Sequence, residues 1–78
     1  MTPAQCRAAR ALLNLEQAEL ALACGIARST LADFEREARQ PRQTSLNAIK
    51  HELEAKGVEF IEPNGGGAGV RLKIHANR

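Results

Sequence analysis

Apolar residues recur every three or four positions along the first two thirds of the chain, which is the period of an amphipathic helix. The first such stretch runs from Pro3 to Leu13. Thr2 is a suitable N-cap residue and Pro3 fits the first helical position. The pattern therefore predicts a first helix over residues 3–13, and its inner face carries Cys6, Ala9 and Leu13.

The second helical stretch is EQAELALAC, residues 16–24. Its spacing places Leu20, Ala21 and Cys24 on one side of a helix. Gly25 follows directly, and glycine accepts the left-handed backbone that is found beyond many helix ends. We therefore expect a short second helix that ends at a sharp turn.

The third stretch, GIARSTLADFERE at residues 25–37, has two large apolar residues, Leu31 and Phe34, three positions apart. This spacing puts both on one face of a helix. The polar residues fall elsewhere around the cylinder. The stretch is therefore predicted to form a short helix with one buried face, and its outward side chains are Arg28, Ser29, Asp33 and Arg36.

A polar linker, residues 38–43, is interrupted by Pro41 and separates the third helix from a fourth. Thr44 is predicted to cap the fourth helix, and Gly57 is predicted to end it. Three apolar residues of this helix recur at core spacing: Leu46, Ile49 and Leu53.

After Gly57 the apolar period changes from 3.6 to 2, which is typical of strands. Residues 58–62 and 70–74 are predicted to form a hairpin around the turn PNGGGAG. An isolated hairpin is only marginally stable in water. Its apolar row must therefore pack on the helices, on a second copy of the chain, or on both, and this row consists of Val70, Leu72 and Ile74.

The length and composition exclude several classes of protein. A chain of 78 residues leaves no room for a separate catalytic or effector-binding domain beside this unit. The net charge of +2 and the pI of about 8.8 are only mildly basic. The N-terminus lacks the pattern of a signal peptide, and the longest apolar run is too short for a membrane span. We expect a cytoplasmic protein without membrane contact.

The residues capable of chemistry do not form a catalytic or metal-binding pattern. Cys6 and Cys24 lack metal-ligand spacing, so reduced core thiols are expected. His51 and His75 are far apart in sequence, and the glycine-rich segment precedes a strand rather than a helix, unlike a phosphate-binding loop. The sequence predicts neither an enzyme nor a bound metal or cofactor.

Two short helices joined by a glycine-containing turn, with polar residues at the start of the second, are typical of a helix-turn-helix. The segment LNLEQAELALACGIARSTLADFEREARQP resembles the Cro and phage-repressor (XRE) family. The resemblance covers about residues 4–55 and implies a mainly α, four-helix, lambda-repressor-like domain at residues 1–57, followed by a hairpin at 58–78. The matching positions are Leu15, Gln17, Leu20, Ala21, Gly25, Ser29, Thr30, Leu31, Glu35 and Pro41.

The resemblance also implies roles in binding double-stranded DNA. Arg28, Ser29 and Asp33 occupy positions from which relatives read base edges. Asp33 either accepts a hydrogen bond from cytosine or orients Arg28 or Arg36. Residues that contact the backbone or flank the readers are implied to be Gln17, Ala27, Thr30, Arg36, Arg39, Arg42 and Gln43.

Arg10 and Glu35 match an ion pair that joins the first helix to the end of the recognition helix. Two positions depart from the family pattern. Glu37 stands where a glycine is common, from which we expect a longer recognition helix, and Ala27 is a poor cap in front of Arg28.

The sequence therefore predicts a transcription regulator that binds an inverted-repeat operator as a homodimer. The alternative is an antitoxin or regulatory subunit whose main partner is another protein, captured at the hairpin edge. The residues predicted to form the dimer contact are Phe60, Val70, Leu72 and Ile74.

Overall fold

The computed structural model describes residues 1–73. Within that range, four helices precede a two-stranded antiparallel sheet. The mainly α architecture with a C-terminal hairpin is therefore confirmed. The elements in chain order are α1 Pro3–Leu13, α2 Gln17–Cys24, α3 Arg28–Glu35, α4 Gln43–Ala55, β1 Val58–Ile61 and β2 Gly69–Leu72.

The ends of α1 and α2 follow from local sequence. The Thr2 hydroxyl accepts from the Gln5 backbone N–H, while the Gln5 side chain accepts from the Thr2 N–H, so the two residues form a capping box. Asn14 ends α1 in the left-handed conformation. Gly25, at φ 71°, ends α2 in the same way. Glu16 is the N-cap of α2, so this helix begins one residue later than its pattern indicates.

The prediction that Thr44 caps the fourth helix is wrong. Helix α4 begins at Gln43, and its N-cap is Arg42. The extended backbone of Arg42 already supplies the geometry of a cap, and its carbonyl accepts from the Leu46 N–H. Thr44 therefore lies inside the first turn, where its hydroxyl is not needed as a cap.

The core lies where the four helices meet the first residue of β1. The predicted inner faces are confirmed, because Leu31 and Phe34 of α3 are buried together with residues from every other helix. Leu13, Cys24 and Leu46 pack around them half-buried. The fully enclosed residues are Cys6, Ala9, Leu20, Ala21, Leu31, Phe34, Ile49, Leu53 and Val58.

The hairpin pairs within the chain, and its strands are shifted slightly from the predicted limits. Val58 lies opposite Leu72, and Phe60 lies opposite Val70. Directly opposed residues share a face of the sheet, so these four form one apolar face. Val58 is fully buried and Phe60 and Val70 are half-buried against the helices, whereas Leu72 remains 43% exposed. Ile74 lies outside the described residues.

Gln5 fastens the hairpin to the first helix. Its side chain is almost fully buried. The amide nitrogen donates to the carbonyls of Ile61 and Gly69, at 3.2 and 2.9 Å, and the amide oxygen accepts from Thr2. One side chain therefore caps α1 and holds both strands at the turn end of the hairpin.

Replacing Gln5 with alanine should destabilise the protein by about 1–3 kcal/mol, because two strand carbonyls and the Thr2 N–H lose their partner. Gln43→Ala is the matched control, since Gln43 is exposed and its side chain bonds the exposed Asn47. Urea denaturation measures both changes in the free energy of unfolding. Equal effects of the two variants would show that the hydrogen bonds of Gln5 to the hairpin do not stabilise the protein.

Candidate nucleic-acid interface

The start of α3 projects from the molecule while its inner side is anchored. Arg28 and Ser29 are exposed, and Thr30 and Asp33 are half-buried. Leu31 and Phe34 fix the opposite side of the helix in the core. The turn from α2 is tight, because the Ile26 N–H donates back to the Ala21 carbonyl. Two of the predicted base-reading residues, Arg28 and Ser29, therefore lie exposed at the start of α3, whereas Asp33 lies more than one turn further along and is half-buried.

The N-terminal end of α3 lacks a side-chain cap, as expected from its sequence. Ala27 is the N-cap residue, and it makes no side-chain capping bond. The first N–H groups of a helix have no partner inside the helix. Since Ala27 offers no acceptor, the N–H groups of Arg28 and Ser29 are suited to an external anion such as a phosphate oxygen.

The other end of α3 is held by a buried carboxylate. The side chain of Glu35 is 3% exposed. Its two oxygens each accept from Arg10, from Nε and Nη2, both at 2.7 Å. Gln17 donates its amide to Oε1 at 2.9 Å, and the Cys6 thiol donates to Oε2 at 3.1 Å. We call Cys6, Arg10, Gln17 and Glu35 the carboxylate cluster.

The carboxylate cluster joins three helices, because it takes residues from α1, α2 and α3. Burial by itself raises the pKa of Glu35, but the hydrogen bonds from Arg10, Gln17 and Cys6 and the charge of Arg10 outweigh it and hold that pKa below its ordinary value. Burial and the bond to Glu35 raise the pKa of the Cys6 thiol. Cys6 therefore stays protonated and serves as a donor.

The prediction that Glu37 lengthens α3 is wrong. The helix stops at Glu35, and Glu37 adopts the left-handed conformation at φ 63°. The Ala38 N–H donates to the Asp33 carbonyl and the Glu37 N–H donates to the Phe34 carbonyl, which is a Schellman motif. Glu37 thus takes the backbone conformation of the glycine that the family pattern favours. Arg7 adds to this end by donating to the Glu35 carbonyl.

Residues 7–56, more than half of the chain, match the model of a helix-turn-helix family of the XRE type. The chain belongs to this family. It is accordingly a DNA-binding regulator of the XRE type, in which α2 and α3 form the helix-turn-helix. No curated protein matches the sequence at a significant level.

A shallow cleft of about 310 Å³ lies between the two helices of the helix-turn-helix. It brings Gln17 and Arg28, two of the predicted DNA-contacting residues, together with Arg10 of the carboxylate cluster. The start of α2 contributes the rest of the lining, Glu16 and Ala18. The cleft therefore holds two arginines, of which Arg10 is paired with Glu35, and one carboxylate, Glu16.

The other predicted DNA-contacting residues lie along the helix-turn-helix and the segment after it. Arg36 is exposed and bonds Asp33. Arg39 and Arg42 are exposed on either side of Pro41. Gln43 donates to Asn47 on α4.

Sequence reasoning missed four contacts of this site. It did not assign Arg7, Cys6 or Gln17 to Glu35, and it did not place Glu16 in the cleft. Cys6 and Arg10 are four residues apart on one helix face, which was the available signal for the Cys6 contact. The backbone bond from Arg7 had no sequence signal, since it depends on where α3 ends.

Within residues 1–73, no helix has the length and apolar character that crossing a membrane requires. No group of three or more His, Cys, Asp or Glu side chains in that range is placed to hold a metal ion.

Removing the charge of Arg10 should cost stability even though the side chain is partly exposed. Arg10→Met leaves the Glu35 carboxylate buried without its cation, and we expect the free energy of unfolding to fall by about 2–4 kcal/mol. The double variant Arg10→Met/Glu35→Gln should recover much of this loss. Urea denaturation of the wild type, Arg10→Met, Glu35→Gln and the double variant measures the effect, and additive losses would argue against a buried, uncompensated charge.

The carboxylate cluster also predicts a loss of stability in acid. A carboxyl group whose pKa is lower in the folded state contributes stability above its unfolded pKa, and this contribution disappears as the pH falls through the folded pKa. The stability advantage of the wild type over Glu35→Gln should therefore shrink once the pH drops below about 4.5, the ordinary value for Glu. Denaturation curves between pH 6 and pH 2, at ~0.15 M ionic strength, measure it.

Glu59→Gln is the control for this pH series, because Glu59 belongs to an exposed pair with Arg71 that solvent screens. The free energy of unfolding of Glu59→Gln, plotted against pH, should run nearly parallel to that of the wild type. If the free energy of unfolding of Glu35→Gln also ran parallel to that of the wild type, the Glu35 carboxylate would not be the source of the pH-dependent stability.

Proposed function

We propose that the protein regulates transcription by binding an inverted-repeat operator as a homodimer, with the start of α3 in the major groove. The observation that carries this proposal is the protruding end of α3, with Arg28 and Ser29 exposed, on a helix whose other end is fixed by the buried Glu35. A rigidly held helix with free polar side chains at its start is suited to reading base edges.

The proposed base readers are Arg28 and Ser29, and Asp33 either reads a base beside them or orients Arg28 or Arg36. Arg28 is suited to paired hydrogen bonds with O6 and N7 of a guanine, a contact worth about 1–3 kcal/mol of discrimination. Ser29 is able to donate or accept. Arg28 and Ser29 are adjacent and exposed, and Asp33 lies four positions further along α3, so each half-site is expected to be short.

The proposed phosphate contacts surround this reading surface. The Gln17 amide has two N–H groups, and one of them is used on Glu35, so the other is suited to a phosphate oxygen at the cleft. Arg39 and Arg42 extend the contact along the backbone, flanked by Ala27, Thr30, Arg36 and Gln43. Phosphate contacts position the protein without reading sequence, and they make the affinity fall with salt.

The hairpin is proposed as the dimer contact. Leu72 is 43% exposed at the end of the apolar face, next to the half-buried Phe60 and Val70. Val58 of this face is buried in the core, and covering the part that stays exposed, chiefly Leu72, with the same part of a second copy would remove apolar surface from water. The described chain measures 36 × 30 × 19 Å, so two copies side by side suit half-sites about 34 Å apart, one helical turn of DNA.

A protein partner remains the second candidate. In a two-stranded sheet each strand has one edge without a neighbouring strand, and such an edge is able to take a strand from another chain. Sedimentation of the purified protein at micromolar concentration separates the two candidates: a dimer supports the operator function, and a monomer favours a different partner.

The experiment that tests the proposed function is selection of sequences from a random duplex pool at near-physiological salt. We expect enrichment of an inverted repeat with half-sites about one helical turn apart. Arg28→Ala should then lose the preference at one position of each half-site, whereas Gln17→Ala should weaken binding to all sequences alike.

Thermal unfolding of both variants is the control, because Gln17 also contacts Glu35. A folded wild type that enriches no sequence would overturn the proposed function. An unchanged preference in Arg28→Ala would show that a different part of α3 reads the bases.

A further inference from the structure

Asp33 and Arg36 form an ion pair on the exposed side of the recognition helix. They are three residues apart, and a single oxygen of Asp33, Oδ1, accepts from both Nε and Nη2 of Arg36, at 3.3 and 2.9 Å. Arg36 is 69% exposed, whereas the Asp33 side chain is 29% exposed. The Asp33 carboxylate thus lies closer to the helix surface, and the Arg36 guanidinium extends into solvent.

We propose that Asp33 is a positioning residue that aims Arg36 at DNA, and that it does not read a base itself. This inference rests on the proposed function and deepens it, since it names the group through which Asp33 acts. The ligand of Arg36 is a pair of acceptor atoms on the duplex, either O6 and N7 of a guanine or two oxygens of a phosphate group.

The geometry of the pair leaves Arg36 able to make such a contact. A guanidinium has five N–H donors, and Asp33 uses one on Nε and one on Nη2. Within residues 1–73, both donors of Nη1 and the second donor of Nη2 have no partner. Asp33 occupies the Nε–Nη2 edge of the guanidinium and leaves the Nη1–Nη2 edge open for paired bonds.

The orientation has an energetic benefit, because a free arginine side chain loses rotamer entropy when it binds. Arg36 lies just beyond the last turn of α3, at the C-cap, and is mostly surrounded by solvent. Asp33, three residues earlier, restricts the rotamers of Arg36 already in the free protein. The carboxylate also carries a cost, since a negative charge near phosphates opposes binding.

Positioning of Arg36 strengthens binding and repulsion of the phosphates weakens it, so the effect of removing Asp33 distinguishes the two. A carboxylate that only faces the DNA repels it, so Asp33→Ala would tighten binding. A carboxylate that positions Arg36 makes Asp33→Ala weaken binding. If Asp33 reads its own base, its removal changes a preference that Arg36 does not influence.

The hairpin supplies a matched control pair. Arg71 donates to Glu59 through Nε and Nη2, at 3.1 and 3.2 Å, and both side chains are exposed. They lie on the face of the sheet opposite Phe60 and Val70, because neighbouring strand residues alternate between faces. Glu59→Ala and Arg71→Ala therefore break a similar pair away from α3.

The experiment measures dissociation constants of the full chain for the selected operator and for single-base variants of it, at several salt concentrations. The proteins are the wild type, Asp33→Ala, Arg36→Ala, the double variant and the two hairpin controls. We expect Arg36→Ala to weaken binding by roughly 5- to 100-fold and Asp33→Ala to weaken it in the same pattern by a smaller factor. The double variant should be no weaker than Arg36→Ala, and the controls should bind like the wild type.

The pattern of loss identifies the acceptor atoms. A preference lost at one base pair in both variants assigns a guanine. A uniform loss, with the slope of log affinity against log salt reduced by about 0.9, assigns a phosphate. Asp33→Asn, which keeps the shape and removes the charge, replaces Asp33→Ala if the alanine variant has a lowered unfolding temperature.

The inference is overturned if removing Asp33 tightens binding or leaves it unchanged, if it alters a base that Arg36→Ala leaves intact, or if the two losses are additive. It also fails if the hairpin controls, with the same sedimentation behaviour as the wild type, weaken binding as much as the α3 variants. A wild type that binds no duplex overturns the proposed function as well, whereas operator binding by the wild type with any of the other outcomes overturns this role of Asp33 alone.

Discussion

The buried carboxylate of Glu35 is the interaction on which the arrangement of the helices depends. A charge removed from water requires nearly complete compensation by hydrogen bonds and an opposite charge. Arg10, Gln17 and Cys6 supply this compensation from two other helices. A rotation of α3 about its axis would therefore expose Leu31 and Phe34 and also strip Glu35 of its donors.

This dependence connects stability with DNA recognition. The guanidinium of Arg10 belongs to the carboxylate cluster and also lines the cleft beside Arg28. Gln17 likewise donates to Glu35 while it faces the cleft. If Gln17 contacts a phosphate as proposed, loss of DNA binding in a Gln17 variant has two origins, a missing contact and a displaced helix, and a stability measurement separates them.

Apolar periodicity was sufficient to predict the helices and the hairpin, because the burial of Leu31, Phe34 and Ile49 depends on spacing alone. The residues at which helices begin and end, and the partners of polar side chains, were harder to predict. Thr44 has the chemistry of a cap but the backbone of Arg42 takes that role, and Glu37 adopts a conformation for which glycine is the usual residue. These outcomes depend on tertiary contacts, which local propensity does not include. The DNA-contacting residues come from the family resemblance and remain predictions.

The bonds from Gln5 to Ile61 and Gly69 join residues 56 and 64 positions apart. During synthesis the chain is made from its N-terminus, so the helices are synthesised before either acceptor is present. Until then the Gln5 amide is hydrated, and Val58 is not available to close the core. A chain that stops before Val58 would therefore keep the third helix on a body whose core is still open.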